Sequence, residues 1–341
     1  MEESDEGRLL CHLLAVLTMC KMSASGSALA RFRSSDLCDN PSANRIAKIT
    51  EPYRSQKAAA NVLEEALLKA GDAIQVDWED LTARPDGITE RSGSRVLSDK
   101  IYGLMYPREE TGELFHYTDM KGFRGIVGKG VLRLTQLSKR MDDNEIRAHA
   151  KQHGWDGYNG ETADGLAKDL FYTSFTCTAA GNDDEMWRKF GDHGFGVRLR
   201  FGVIANRDQS HRGELRGVKY LDGTKTLLNL IEDGLKDVDL PKFIPWSASR
   251  MTAFGLTEDY DGEAEVRLLV KDHQGVPHNR KNEGGYDFWE VPINKENDVA
   301  SVRLLGVEVG RQHTDLTMIE DILKASDFGH IIPTTAIARS F

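Results

Sequence analysis

Gly262-Glu263-Ala264-Glu265-Val266-Arg267-Leu268-Leu269 is the stretch on which the reading of this chain turns. Successive side chains of an extended chain point to opposite faces. Read as a strand, it places Glu263, Glu265 and Arg267 on one face and Ala264, Val266 and Leu268 on the other. Two carboxylates beside one guanidinium, backed by an apolar face, suit a polar site set on a core strand. The same alternation fits a solvated edge strand with a ladder of opposite charges, so the segment alone does not choose.

Two segments further upstream repeat the pattern of a strand with chemistry on one face. In Phe171-Tyr172-Thr173-Ser174-Phe175-Thr176-Cys177, alternation puts Tyr172, Ser174 and Thr176 together and leaves Phe171, Phe175 and Cys177 opposite. The hydroxyl-rich side fits the wall of a polar pocket, and equally a half-exposed strand, since Thr and Tyr favour sheets. In Phe115-His116-Tyr117-Thr118, a histidine sits among apolar residues at a strand end, just before a helix.

Around these segments the chain reads as short strands alternating with short helices. Strands are expected at Leu114 to Thr118, Val131 to Thr135, Leu170 to Thr178, Phe195 to Val203, Glu263 to Lys271 and Val302 to Val309. Helices are expected at Lys121 to Val127, stopped by Gly128 and Gly130, and at Asp183 to Phe190. Two more are marked by Leu227, Leu228, Ile231 and Leu235, and by Leu316 to Ala325. Upstream, Ala59, Val62, Leu63, Ala66, Leu67 and Ala70 recur at helical spacing, with Ser55 as the expected N-cap and Gly71 as the stop. Ile74 to Trp78 reads as a short strand, and the turn-rich residues 83–94 read as a linker or a long loop. The fold class expected is α+β around one central sheet, because the strands are too unevenly spaced for a βαβ array. The organisation expected is a partly helical extension over 1–100 followed by a single domain over 101–341.

The bulk properties narrow the function classes. The chain has 341 residues, with 54 acidic against 44 basic side chains and a net charge of −10. A protein that coats nucleic acid or anionic membrane would need a basic footprint, so both are disfavoured. Cys11, Cys20, Cys38 and Cys177 form no C-x-x-C pair, which argues against a structural zinc and suits a reducing cytoplasm. No apolar run is long enough to span a bilayer. Leu9 to Met22 is apolar-rich, but Glu2, Glu3, Asp5 and Glu6 precede it, the wrong sign for a secretory signal, and a helix is expected there. No metal site is expected. His149 and His153 stand at i, i+4 spacing, yet no glutamate follows His149 as a zinc protease requires, and a solvated helix face is the reading. Asp142-Asp143-Asn144-Glu145 lacks the glycine of a calcium loop and reads as a helix cap.

Taken in order, His116-Tyr117-Thr118, Ser174-Phe175-Thr176, Met186-Trp187, Gly196-Val197 and Glu263-Ala264-Glu265-Val266-Arg267 resemble the motif series of an uncharacterised bacterial domain family, over residues 113–270. That family is in turn similar to the ADP-ribosyltransferase superfamily. The resemblance implies a split central β-sheet with flanking short helices and NAD as co-substrate. It also implies transfer of ADP-ribose to a macromolecular acceptor, protein or nucleic acid, as in a bacterial toxin or defence effector. The middle motif is a hybrid, offering both Tyr172 and Ser174, and the first hundred residues lie outside the resemblance. By resemblance, Glu265 would stabilise the oxocarbenium-like ribose and Glu263 would activate or orient the nucleophile. Ser174 would position Glu265 or the nicotinamide ribose. His116, with Tyr117 and Thr118, would hold the adenosine side, while Tyr172 and Thr176 would lie along the dinucleotide and Tyr172 stack on nicotinamide. Arg267 or Arg124 would meet the pyrophosphate. The alternatives are an NAD glycohydrolase, with water as acceptor, and a catalytically inactive module that senses a nucleotide or serves as an interaction surface. The 1–100 extension would bind a partner, cover the cleft or place the target, and the sequence does not choose among these.

Overall fold

The computed structural model describes residues 41–91, 93–109, 112–139, 146–155, 163–177, 183–205, 213–221, 223–257, 262–272, 280–313 and 315–336. The helix expected near Leu9 to Met22, the cap expected at 142–145, and Cys11, Cys20 and Cys38 lie outside these residues. The chain divides into two units between Ser55 and Gln56. The residues from Gln56 onward form the body described here.

The first helix, α1, runs Pro41–Lys69, so Ser55 lies inside it and is not its N-cap. Its end follows the sequence. Gly71 adopts φ +85, Gly71 N–H bonds Leu68 O and Asp72 N–H bonds Leu67 O, the paired bonds of a left-handed helix stop. Ile74 to Trp78 forms no strand. Instead the turn-rich segment folds into a hairpin, β1 Leu81–Arg84 and β2 Gly87–Glu90, joined at Pro85-Asp86. What reads as linker punctuation is a two-residue hairpin turn. The next helix, α2 Val96–Met105, has its first amides capped from outside, since Leu97 N–H and Ser98 N–H both donate to the Glu90 carboxylate.

Then follow β3 Gly112–Thr118, α3 Met120–Lys129, β4 Val131–Gln136, α4 Ile146–Gln152, α5 Ala163–Ala167, β5 Leu170–Thr176, α6 Asp183–Phe190 and β6 Val197–Ala205. After these come β7 Gly213–Gly217, β8 Lys219–Leu221, α7 Leu227–Asp237, α8 Ala248–Met251, β9 Gly255–Thr257 and β10 Glu265–Lys271. The chain closes with β11 Arg280–Glu283, β12 Tyr286–Pro292, β13 Ala300–Val309, α9 Thr317–Lys324 and β14 Thr334–Thr335. The fold is therefore mixed α+β with one large, mostly antiparallel sheet.

Strand β5 organises that sheet. Along one edge it pairs with β10 over all seven residues, Glu265 opposite Thr176 through Lys271 opposite Leu170. Its other edge is divided: β4 takes Phe171 and Tyr172, and β3 touches it only through Phe115 opposite Thr176. Beyond β3 the sheet continues through β6 and β13, and beyond β10 through β7. The Glu-x-Glu strand is thus interior, not an edge.

Both faces of β5 and β10 are covered. On one side Leu170, Tyr172 and Leu269 pack with α1 (Ala59, Leu63, Leu67), α2 (Ile101, Tyr102, Met105) and α7 (Leu228, Ile231, Leu235). On the other, Phe171, Phe175, Val266, Leu268 and Val270 pack with α3 (Phe123, Val127) and α9 (Ile319, Leu323). Residues 56–100, which the sequence reading assigns to an extension, build one core together with Ile101, Tyr102, Met105 and Tyr106: each fully buried leucine or isoleucine there contributes about 2 kcal/mol that the sheet face would otherwise lose. The break in the chain accordingly falls at Ser55, not near residue 100. No helix among the described residues is long and apolar enough to cross a membrane.

Candidate functional site

Where β4 and β3 diverge, the middle of β5 has no ladder partner on that edge, and a cleft of about 660 Å³ opens over it. Its walls bring together the end of β3 (His116, Tyr117, Thr118), the end of β5 (Tyr172, Ser174, Thr176), the start of β10 (Glu263, Glu265, Arg267) and one side of α6. Three segments separated by up to 150 residues therefore meet, and every candidate residue among those nine lines the same space.

The Glu265 carboxylate is the best-held group in the cleft. Arg267 Nε donates to Oε1 at 2.8 Å and Arg267 Nη2 to Oε2 at 2.9 Å, a bidentate pair, while Ser174 Oγ also donates to Oε1. Glu265 N–H donates to Tyr220 Oη at 2.9 Å. Burial pushes the Tyr220 hydroxyl up to about 12, so it stays a neutral phenol in this contact. Arg267 is 2 % exposed, its third nitrogen donates to Ala253 O at 2.6 Å, and its guanidinium lies 4.7 Å over the Tyr172 ring. Those commitments place Arg267 behind Glu265 and not at a pyrophosphate, contrary to the expectation for it. Arg124 does not line the cleft; it donates to Met318 Sδ.

Glu263 does not share a strand face with Glu265. Strand β10 begins at Glu265, and Ala264 before it adopts φ +43, a left-handed conformation that costs an alanine about 1 kcal/mol or more. That kink, not period-two alternation, turns Glu263 into the cleft. Thr176 Oγ1 pins it by donating to Glu263 O at 2.7 Å, and Lys189 of α6 reaches its carboxylate at 3.5 Å. The left-handed Ala264 thus lies between the two carboxylates that line the cleft.

His116 fills the gap in the sheet. Its Nδ1 is 2.9 Å from Ser174 O. A carbonyl only accepts, so Nδ1 carries the proton of this contact. Tyr117 stands edge-on to Trp187 at 5.1 Å and its hydroxyl accepts from Arg198, which also pairs with Glu308. Thr118 is fixed by a close approach: a Cβ at position 196 would lie 2.3 Å from Thr118 O, which explains Gly196 before Val197.

Sequence reasoning missed Tyr220, which sits on a three-residue strand with no periodic signal, and Lys189 and Phe190, which line the cleft from α6. It also gave no hint of the electrostatics. Among the described lining residues the cations are Lys189 and Arg267, against Asp119, Asp192, Glu263 and Glu265.

A second Glu-x-Arg pair on the neighbouring strand shows what distinguishes the first. On β7, Arg216 stands opposite Arg267, and Glu214 is bound by both Arg216 and Arg250 at 2.8 and 2.9 Å. Burial pushes the Glu214 carboxyl up, but Arg250 and Arg216 outweigh it and hold it below the ordinary range. This pair faces Tyr102 and core, whereas Glu265 faces a cleft. His149 and His153 also belong to the interior: they are 0 % and 2 % exposed, not a solvated face, and pack on Trp155 with Glu232 2.8 Å from His153 Nδ1. Comparisons of the chain with models of known protein families, with curated proteins and with solved structures find no match.

Proposed function

We propose that this chain cleaves the nicotinamide–ribose bond of NAD and transfers the ADP-ribose to a macromolecule, with the sheet divided at β5 as the split sheet of an ADP-ribosyltransferase. The observation that carries the reading is the Glu265 carboxylate, oriented from behind by Arg267 and from the side by Ser174, at the floor of a cleft within the size range of ligand sites.

The chemistry asks for little more. The C–N bond breaks with its electron pair leaving on nicotinamide, which departs neutral, and positive charge develops at the ribose carbon and ring oxygen. A fixed carboxylate against that carbon stabilises the charge without reorganising at the moment of reaction. The acceptor then attacks the same carbon and gives its proton to Glu263, which the Ala264 kink turns into the cleft. His116 accepts from or donates to a ribose hydroxyl, while Tyr172, 5 % exposed and covered by the Arg267 guanidinium, backs that guanidinium and does not stack on nicotinamide. Lys189, at the rim, is the described cation set to meet the pyrophosphate.

Incubation with NAD labelled in the adenosine half, following nicotinamide release and label on protein or RNA, tests this directly. Nicotinamide release without transfer assigns the cleft to an NAD glycohydrolase. Saturable NAD binding with no turnover assigns it to a sensing module, and no binding removes the reading.

A further inference from the structure

The basic surface that an anionic ligand would seek on this acidic chain lies at the other end of the same strands. Lys271 closes β10 six residues from Glu265, about 20 Å along the strand. There the β1–β2 hairpin, the α5–β5 connection and the segment before α8 enclose a second cleft of about 450 Å³, which shares no residue with the first. Its lining carries Arg84, Arg91, Lys168 and Lys271 against Glu90 and Asp169. The Glu90 carboxylate is spent on the amides that open α2. Among the described residues no carboxylate pairs with Arg84, Arg91 or Lys168, whose side chains are exposed.

The wall of this cleft holds an aromatic plate. Trp246 is 46 % exposed, an unusual position for the largest apolar side chain. It is not loose: its indole N–H donates to Glu90 O at 3.2 Å and its backbone N–H donates to Ser98 Oγ at 2.9 Å. The ring is thus anchored at its edge. Lys271 is likewise steadied, donating to Ser249 Oγ at 2.9 Å. Arg95 lies 5.9 Å over the Trp246 ring, a further cation at this wall. An anchored aromatic plate beside Arg84, Arg91 and Lys168 is the combination that binds a base and its phosphate, one by stacking and the other by charge.

We propose that this cleft is a nucleotide site, Trp246 stacking on the base while Arg84, Arg91 and Lys168 take the phosphate. The chemistry is shared by a free nucleotide and by one unit of a single strand. The site stands independently of the NAD reading, because its residues are other residues.

The test uses the full chain with thymidine monophosphate and a thymidine hexanucleotide, by equilibrium dialysis at low and high salt. Binding of at least one is expected, weakened by salt, reduced roughly tenfold or more by the double substitution Arg84→Gln/Lys168→Gln, and reduced to a similar extent by Trp246→Leu. His116→Ala in the first cleft leaves it unchanged. Equal binding of both probes assigns a free-nucleotide site, and binding of the hexamer alone assigns a strand. No binding of either at millimolar concentration, or binding that survives Arg84→Gln/Lys168→Gln, or binding lost in His116→Ala, overturns the proposal. Failure of NAD turnover leaves it standing.

Discussion

Replacing Arg267 with methionine removes the guanidinium that holds Glu265 and leaves a carboxylate that is 7 % exposed with Ser174 as its remaining side-chain donor. Unit charges about 4 Å apart attract by about 4 kcal/mol at an effective dielectric near 20. Breaking a buried pair by removing one partner costs about 3–5 kcal/mol, since the other charge stays buried. Arg267→Met also gives up the bond to Ala253 O and the contact with Tyr172, so the upper end of that range is expected. Glu265→Gln, which strands a guanidinium that is 2 % exposed, should cost about 3 kcal/mol. The double variant removes both charges at once, and a buried pair replaced by neutral groups is often close to neutral. Its destabilisation should therefore fall well below the sum of the singles, with a coupling of about 2–3 kcal/mol. Urea unfolding of the four proteins measures this, and NAD turnover should be lost in all three variants. A coupling below about 0.5 kcal/mol would refute the claim that Arg267 acts through Glu265.

Other expectations follow from single contacts. Tyr220→Phe removes the acceptor of the Glu265 N–H and should cost about 1–2 kcal/mol, read as a lower urea midpoint with an unchanged slope. Ala264→Gly relieves the left-handed backbone at φ +43 and should raise stability by about 1 kcal/mol while NAD turnover falls, because Glu263 is then less firmly aimed. Unaltered turnover would show that the kink does not serve Glu263. Burial pushes His149 down to about 3, with His153 adding to the shift. The unfolded chain then binds the extra proton, so stability is full above pH 6.5 and declines as pH falls from there towards 3, with a limiting slope of about 1.4 kcal/mol per pH unit. His149→Gln should remove that slope between pH 6.5 and 5.5; an identical pH profile in the variant would show that His149 is not its origin.

Several elements were legible because their signals are local. Asp183–Phe190 and Met120–Lys129 follow from helical spacing and the stop at Gly130, and the alternation in Leu170–Thr176 separates Tyr172 and Leu170 from Phe171 and Phe175 as the two cores do. The β1–β2 hairpin was not legible as structure, because Pro85-Asp86-Gly87 punctuates a linker and a tight turn alike. Nor was the depth of β10: a charged alternation looks the same whether water or a cleft faces it, and only the pairing with both β5 and β7 settles which.

Sequence by itself determined the residue types that gather at the first cleft, since the alternation within β3, β5 and β10 is a property of each strand alone. Tertiary structure decided what those residues do to one another. It buried the Glu265–Arg267 pair, whose shared face the alternation already gives, by seating β10 between β5 and β7. It turned Glu263 inward through a backbone torsion that no pattern encodes. It also joined residues 56–106 to the sheet, since which apolar faces cover each other depends on the three-dimensional path of the chain. The acidic net charge, a sum over all residues, carried no hint of the basic cleft beside Trp246, because charge density is set by which side chains become neighbours.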